Sequence, residues 1–265
     1  MYWRESLQLF TSEHPMANLE PQIMIDGYIS RTFQPQWADN HFSTLLKTAL
    51  SHYRVYYDTG MRCFFLRRDA LRPGSAPMIL DYSADTSIGS LVPQSLWTPH
   101  SLTDRRQYVE QAKLEPPTFF VHTNGVIGVR LVDAAAGNCH TLKELGTPAR
   151  LGNKSSVHLR MNWPGYNVYD WKRQFQAKDE TSAHSPITLE RYCECVLTYV
   201  LWRQLASQQG TAYPQWRIGA NGITRNDILI IGVVHVSAGS FMPILQLNRY
   251  IIHVDPMLAP QFFLP

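Results

Sequence analysis

Cysteine is scarce in this sequence: four residues among 265. Positions 63, 139, 193 and 195 share no repeated spacing, which excludes a disulfide framework. Long apolar runs are missing too. The longest, Ile228 to Val234, falls far short of the ~20 residues a membrane helix needs. The opening residues Met1-Tyr2-Trp3-Arg4-Glu5 carry neither the basic nor the apolar region of a secretory signal. The expectation is a chain with no membrane association, kept in a reducing compartment, cytoplasm or nucleus. Charge of one sign is equally thin. The net charge is +3, and no basic run exceeds Arg67-Arg68 or Arg105-Arg106. No stripe follows a phosphate backbone, so nucleic acid is disfavoured. Gly-x-Ser-x-Gly, the phosphate loop, Gly-x-Gly, His-Glu-x-x-His and Cys-x-x-Cys are all absent, which removes the usual sequence support for nucleotide, zinc and hydrolase chemistry. No cofactor or metal is expected.

What is present is apolar and aromatic. A 45% apolar fraction with 12% aromatics is that of a globular chain, long enough to bury a full core. The reading divides it into an N-terminal arm, residues 1–38, and one domain, residues 39–265. The arm holds Pro15, Pro21 and Pro35, a short strand at Ile23-Met24-Ile25, and enough aromatic area to favour lying across the body. Asp39 or Asn40 caps a first helix whose apolar face is Phe42, Leu45, Leu46, Ala49, Leu50 and Tyr53. Val55-Tyr56-Tyr57 and Cys63-Phe64-Phe65-Leu66 flank Asp58-Thr59-Gly60 as a hairpin. A strand follows at Met78–Tyr82, then a polar connection over 83–117 with room for one helix between Ser101 and Leu114. Asn124-Gly125 joins Phe119–Thr123 to Val126–Leu131, the strongest short-range hairpin signal. A helical turn is expected over Thr141–Leu145 and a short strand over Gly219–Ile223. The chain closes on a hairpin, Ile228–Val236 with Ile244–Val254.

Between these lies the most legible stretch. Val157 to Met161 reads as a strand, followed by a Trp163-Pro164-Gly165 turn. A helix opened by Ser185-Pro186-Ile187-Thr188 has Cys193, Val196, Leu197, Val200 and Leu201 at spacings of three and four, ending near Gly210. Ser185 and Thr188 compete as its N-cap. Hairpins imply antiparallel pairing, and helices without a βαβ rhythm imply an α+β fold: a mainly antiparallel sheet packed on two principal helices.

The series Ile79-Leu80-Asp81-Tyr82, Leu159-Arg160-Met161-Asn162-Trp163-Pro164 and Pro186-Ile187-Thr188-Leu189 resembles an uncharacterised domain family, found mostly in mushroom-forming fungi, over residues 78–254. The resemblance implies no known activity, cofactor or catalytic residue.

The candidate chemistry is sparse. Asp58-Thr59-Gly60 matches an aspartic-protease loop, but no second such loop exists, and the reading is a hairpin turn. His235 and His253 fall too far apart to share an ion if Val236 pairs with Ile244. Cys193 and Cys195 sit about 200° apart on a helix and cannot share a metal; Cys193 belongs to the apolar stripe. Cys139 beside His140 suggests thiol chemistry if the fold brings in His122 or His158. Trp163, Tyr166, Tyr169 and Trp171, beside Arg173, crowd rings into one loop, as recognition surfaces do; the alternative is that they fold back onto the helix. The leading expectation is a binding or scaffolding protein using that loop, with a protein partner or self-association. The alternative is an enzyme or small-molecule binder with Cys139, His140 or His158 at a pocket mouth.

Overall fold

A computed structural model describes residues 17–19, 21–67, 77–166, 171–198, 213–219 and 221–251. The fold is α+β, with two sheets and helices on both sides of a shared hairpin.

That hairpin is β9 (Ile228–Ser237) and β10 (Ser240–Leu247). Its run of β-branched and aliphatic residues suits a strand covered on both faces. All of it is buried except Leu229, which is half-buried. One face, with Ile228, Ile230, Val233, Phe241 and Leu245, belongs to one core. The other, with Ile231, Val234, Val236, Met242 and Ile244, belongs to a second. A bulge between Ser240 and Phe241 sets His235 opposite Phe241, and a second, between Ile244 and Leu245, sets Leu245 opposite Ile230. This differs from the Val236–Ile244 pairing read from the sequence, because the turn is two residues, Ala238-Gly239, and β10 begins at Ser240. His253 lies outside the described residues. Pro243 costs no bond to β9: its carbonyl faces the other edge, where the Gln94 side-chain amide donates to it at 2.7 Å.

On one side of the hairpin lies the small sheet, β1 (Ala17–Leu19), β2 (Val55–Asp58), β3 (Cys63–Leu66) and β4 (Met78–Tyr82), in sequence order and antiparallel. Asp58 turns the β2–β3 hairpin by accepting a hydrogen bond from the Met61 N–H at 2.8 Å. Two helices join this core, α1 (Tyr28–Phe33) and α2 (Pro35–Leu46). The strand expected at residues 23–25 is instead part of a 3-10 turn, Pro21–Asp26. Tyr28, Ile29 and Phe33 are buried, so this part of the expected arm is core. Asp81, itself fully buried, anchors it by accepting the Ile29 N–H at 3.0 Å and the Tyr82 N–H at 2.8 Å. Gly27 makes room: a Cβ there would meet Asp81 Oδ2 at 2.1 Å. The second helix starts at Pro35, not Asp39, since proline at the first helical position has no N–H to leave unpaired.

On the other side, β10 pairs in parallel with β7 (Ser156–Met161), and β7 pairs antiparallel with β8 (Trp171–Gln176). The short strands β5 (Thr118–Phe119) and β6 (Val129–Arg130) both add to β9. The Asn124-Gly125 turn forms, with Gly125 at φ 86°, yet Leu131 begins a helix rather than ending a strand. The helices are α3 (Leu102–Arg105), continued by a π-turn over Arg106–Glu110, α4 (Leu131–Ala135) and α5 (Leu189–Thr198). Thr188 Oγ1 accepts the Arg191 N–H at 3.2 Å, which makes it the N-cap of α5. Pro186 and Ile187 belong to the extended segment before it, bridged to residues 177 and 178. Residues 141–145 form turns, and Ile218 and Ile223 a single bridge.

Two histidines lie in the interior. His41 on α2 and His235 on β9 are 3% and 1% exposed, and burial lowers both to about 4, with mutual repulsion adding to the shift at His41. His235 Nδ1 accepts the Glu115 N–H at 2.8 Å, a bond only the neutral ring can make. Between pH ~4 and ~6.5 the unfolded chain binds two protons here that the folded chain does not, so stability falls as pH drops through that window. Asp81 works the other way, because burial raises its carboxyl and its contribution falls as pH rises. Two protons outweigh one. We predict a net loss on acidification below pH ~6.5 that reaches about 1 kcal/mol per pH unit near pH ~5, measured by urea unfolding. His41→Gln should flatten the slope; stability that rises on acidification contradicts this.

Candidate functional site

The aromatic loop after β7 divides into an inward and an outward half. Gly165 takes φ 80°, a left-handed conformation that lets the chain reverse after Trp163-Pro164. The reversal sends Trp163 into the core, where it is 3% exposed. Its Nε1–H donates to the Trp216 carbonyl at 2.8 Å, and the two indoles meet edge to face at 6.1 Å. Tyr166 is half-buried, and its hydroxyl accepts the Ile218 N–H at 3.0 Å. These two rings thus serve the segment around residues 214–218 and do not form an exposed patch. The expectation of Trp163 as a surface anchor is corrected by its hydrogen bond: the turn buries the ring where its N–H finds a carbonyl. Tyr169 and the Trp171 side chain lie outside the described residues.

Beyond the loop, β8 carries the outward half. Lys172, Arg173, Gln174 and Gln176 are exposed, while Phe175 turns inward and stacks on Tyr192 at 5.7 Å. In the sheet order β5-β9-β10-β7-β8, β8 is an edge, and among the described residues it pairs with β7 alone. The direction of its backbone groups follows from β7. His158 N–H donates to Gly239, towards β10, and Ala177 N–H donates back to Ser155. Backbone groups alternate along a strand, so Phe175, Arg173 and Trp171 bond to β7. Lys172, Gln174 and Gln176 direct theirs away from the sheet.

The thiol reading resolves differently from the Cys-His expectation. Cys139, on the turn after α4, is fully buried, whereas His140 beside it is exposed. His158 is half-buried on β7, opposite Gln174. His122 Nδ1 lies 2.6 Å from Thr141 Oγ1 and Nε2 3.0 Å from the Gly128 carbonyl. The side-chain partner of Cys139 is a second thiol, Cys193 Sγ, at 3.0 Å. Either thiol can donate across this distance, and the contact lowers Cys139 from its ordinary value and pushes Cys193 up. Nothing in a separation of 54 residues signals this pair in the sequence.

A buried polar seam was equally hidden. The Arg160 guanidinium lies 3.6 Å from the Trp97 ring centroid, and its Nε–H donates to Ser240 Oγ at 3.0 Å. Gln94 Oε1 accepts the Asn162 N–H at 3.3 Å, and Asn162 donates in turn to the Ser95 carbonyl. Among the described residues, no three His, Cys, Asp or Glu side chains gather to hold a metal ion, and no helix is long and apolar enough to cross a membrane.

Comparison with family models, with curated proteins and with solved structures found no match.

The placement of Trp163 sets a stability prediction. Trp163→Ala should cost about 3–5 kcal/mol, and Trp163→Phe about 1–3 kcal/mol through the unpaired Trp216 carbonyl. Lys172→Ala should change stability by less than about 0.5 kcal/mol. Urea denaturation checks all three; a Trp163→Ala variant as stable as wild type would place the ring on the surface.

Proposed function

We propose that this chain is a binding protein that takes an extended, carboxylate-bearing segment of a partner protein as an added strand on the outer edge of β8. The observation that carries the reading is the row of backbone N–H and C=O groups at Lys172, Gln174 and Gln176, directed away from β7. An exposed edge of this kind is a template for strand addition, in which main-chain bonds supply affinity. The exposed Lys172 and Arg173 side chains supply the charge that selects acidic segments and speeds encounter. The edge leads directly from the aromatic loop, so the binding surface moves from the rings to the strand beside them. Free, buried Cys63 suits a reducing compartment, cytoplasm or nucleus.

Panning a displayed peptide library against the full chain tests the proposal. Selected peptides should be acidic and extended, and should slow amide exchange at Lys172, Gln174 and Gln176. Gln174→Pro removes an outward N–H without breaking a bond to β7, and should weaken binding at least tenfold, while Gln174→Ala should not. Peptides that bind Gln174→Pro as tightly as wild type, or a library yielding no binder, would sink the reading.

A further inference from the structure

We infer that Cys139 and Cys193 form a peroxide-sensitive dithiol site, which closes to a reversible intramolecular disulfide. Their sulfurs lie 3.0 Å apart, about 1 Å from the bonded separation. Each is set in place by ordinary packing. Cys193 lies on the inner face of α5, one residue beyond buried Tyr192. Cys139 is held by the reversal after α4. Gly137 at φ 73° turns the chain, Asn138 N–H donates to Asp133 at 2.8 Å, and the Cys139 carbonyl accepts the Leu142 N–H at 2.9 Å. The two elements α4 and α5 pack directly on each other, so the sulfurs can close without a change in the sheets.

Access comes from the Cys139 side. Ala136, Gly137, Asn138, His140 and Thr141 around it are all exposed, so a single surface turn separates this sulfur from water. The contact with Cys193 lowers the Cys139 thiol, which favours its thiolate. The order of events follows. The Cys139 thiolate attacks one oxygen of hydrogen peroxide; the O–O bond breaks, hydroxide leaves, and Cys139 becomes a sulfenic acid. The Cys193 sulfur then attacks the Cys139 sulfur. The S–S bond forms, the S–O bond breaks, and the departing hydroxide takes the Cys193 proton. Two thiols and one peroxide give one disulfide and two waters. A thiol reductant reverses the change by exchange. The bond would tie the turn after α4 to α5 across the β7–β8 hairpin. In a reducing compartment such a bond is a transient response rather than a permanent staple.

The test uses the reduced full chain carrying Cys195→Ser, so that the tryptic peptide 192–203 holds one thiol. The chain is treated with one equivalent of hydrogen peroxide, unfolded, alkylated and digested without reduction. The expected product is peptide 131–143 joined to peptide 192–203, about 2 Da below the sum of the free peptides, and lost on adding dithiothreitol. Cys63, which burial pushes up to about 12, should be recovered alkylated. Cys139→Ala and Cys193→Ala should each abolish the linked product. Mapping in the parent chain stands even if those variants do not fold. Recovery of Cys139 and Cys193 both alkylated would overturn the inference. So would conversion of Cys139 to sulfinic or sulfonic acid without linkage.

Discussion

Burial of one β-hairpin on both of its faces is the constraint that organises this molecule. A half-exposed hairpin can stand on a single core; β9 and β10 supply a wall to two. Their residues alternate between the core lined by Trp163, Tyr192 and Trp216 and the core lined by Tyr28, Phe42 and Leu80. Close approach is part of the design. Gly232 sits where β5 crosses, and a Cβ there would meet the Thr118 carbonyl at 2.4 Å. The two-faced burial also accounts for the histidine on β9, since any side chain placed there leaves water.

Several local signals in the sequence survived into the structure, and non-local ones were invisible. The Ile228–Val234 run, the Asn124-Gly125 turn and the Thr188 cap each depend on residues within a few positions, and each formed. The first helix after the 3-10 turn did not show, because its first turn is capped by Asp81, 52 residues beyond Ile29. Nothing near Tyr28 in the sequence announces that partner. Trp163 was legible as a ring in a turn, but its destination was not, since Trp216 lies 53 residues on. The thiol pair follows the same rule. Cys193 read correctly as an inward residue of a helix, and only the packing of α4 on α5 reveals what it faces.

The segments Ile79–Tyr82, Leu159–Pro164 and Pro186–Leu189 acquire a physical meaning here. Asp81 holds a helix start, Leu159 fills a core, Arg160 stacks on Trp97, Trp163 bonds to Trp216 and Thr188 caps α5. All of these are positions of packing and capping. Motifs of that kind specify a fold and are silent on activity. The recognition proposed for β8 rests instead on backbone groups at a sheet edge and the charges beside them, which leave almost no trace in a sequence.

Native-state hydrogen exchange across a series of denaturant concentrations tests the shared-wall account most directly. If β9 and β10 bind the two cores into one unit, the slowest amides of β4, β7 and β9 should exchange with one common free energy and one denaturant dependence, that of global unfolding. Two separate isotherms, with β4 opening well below β7 while β9 stays closed, would show two independent halves and contradict the account.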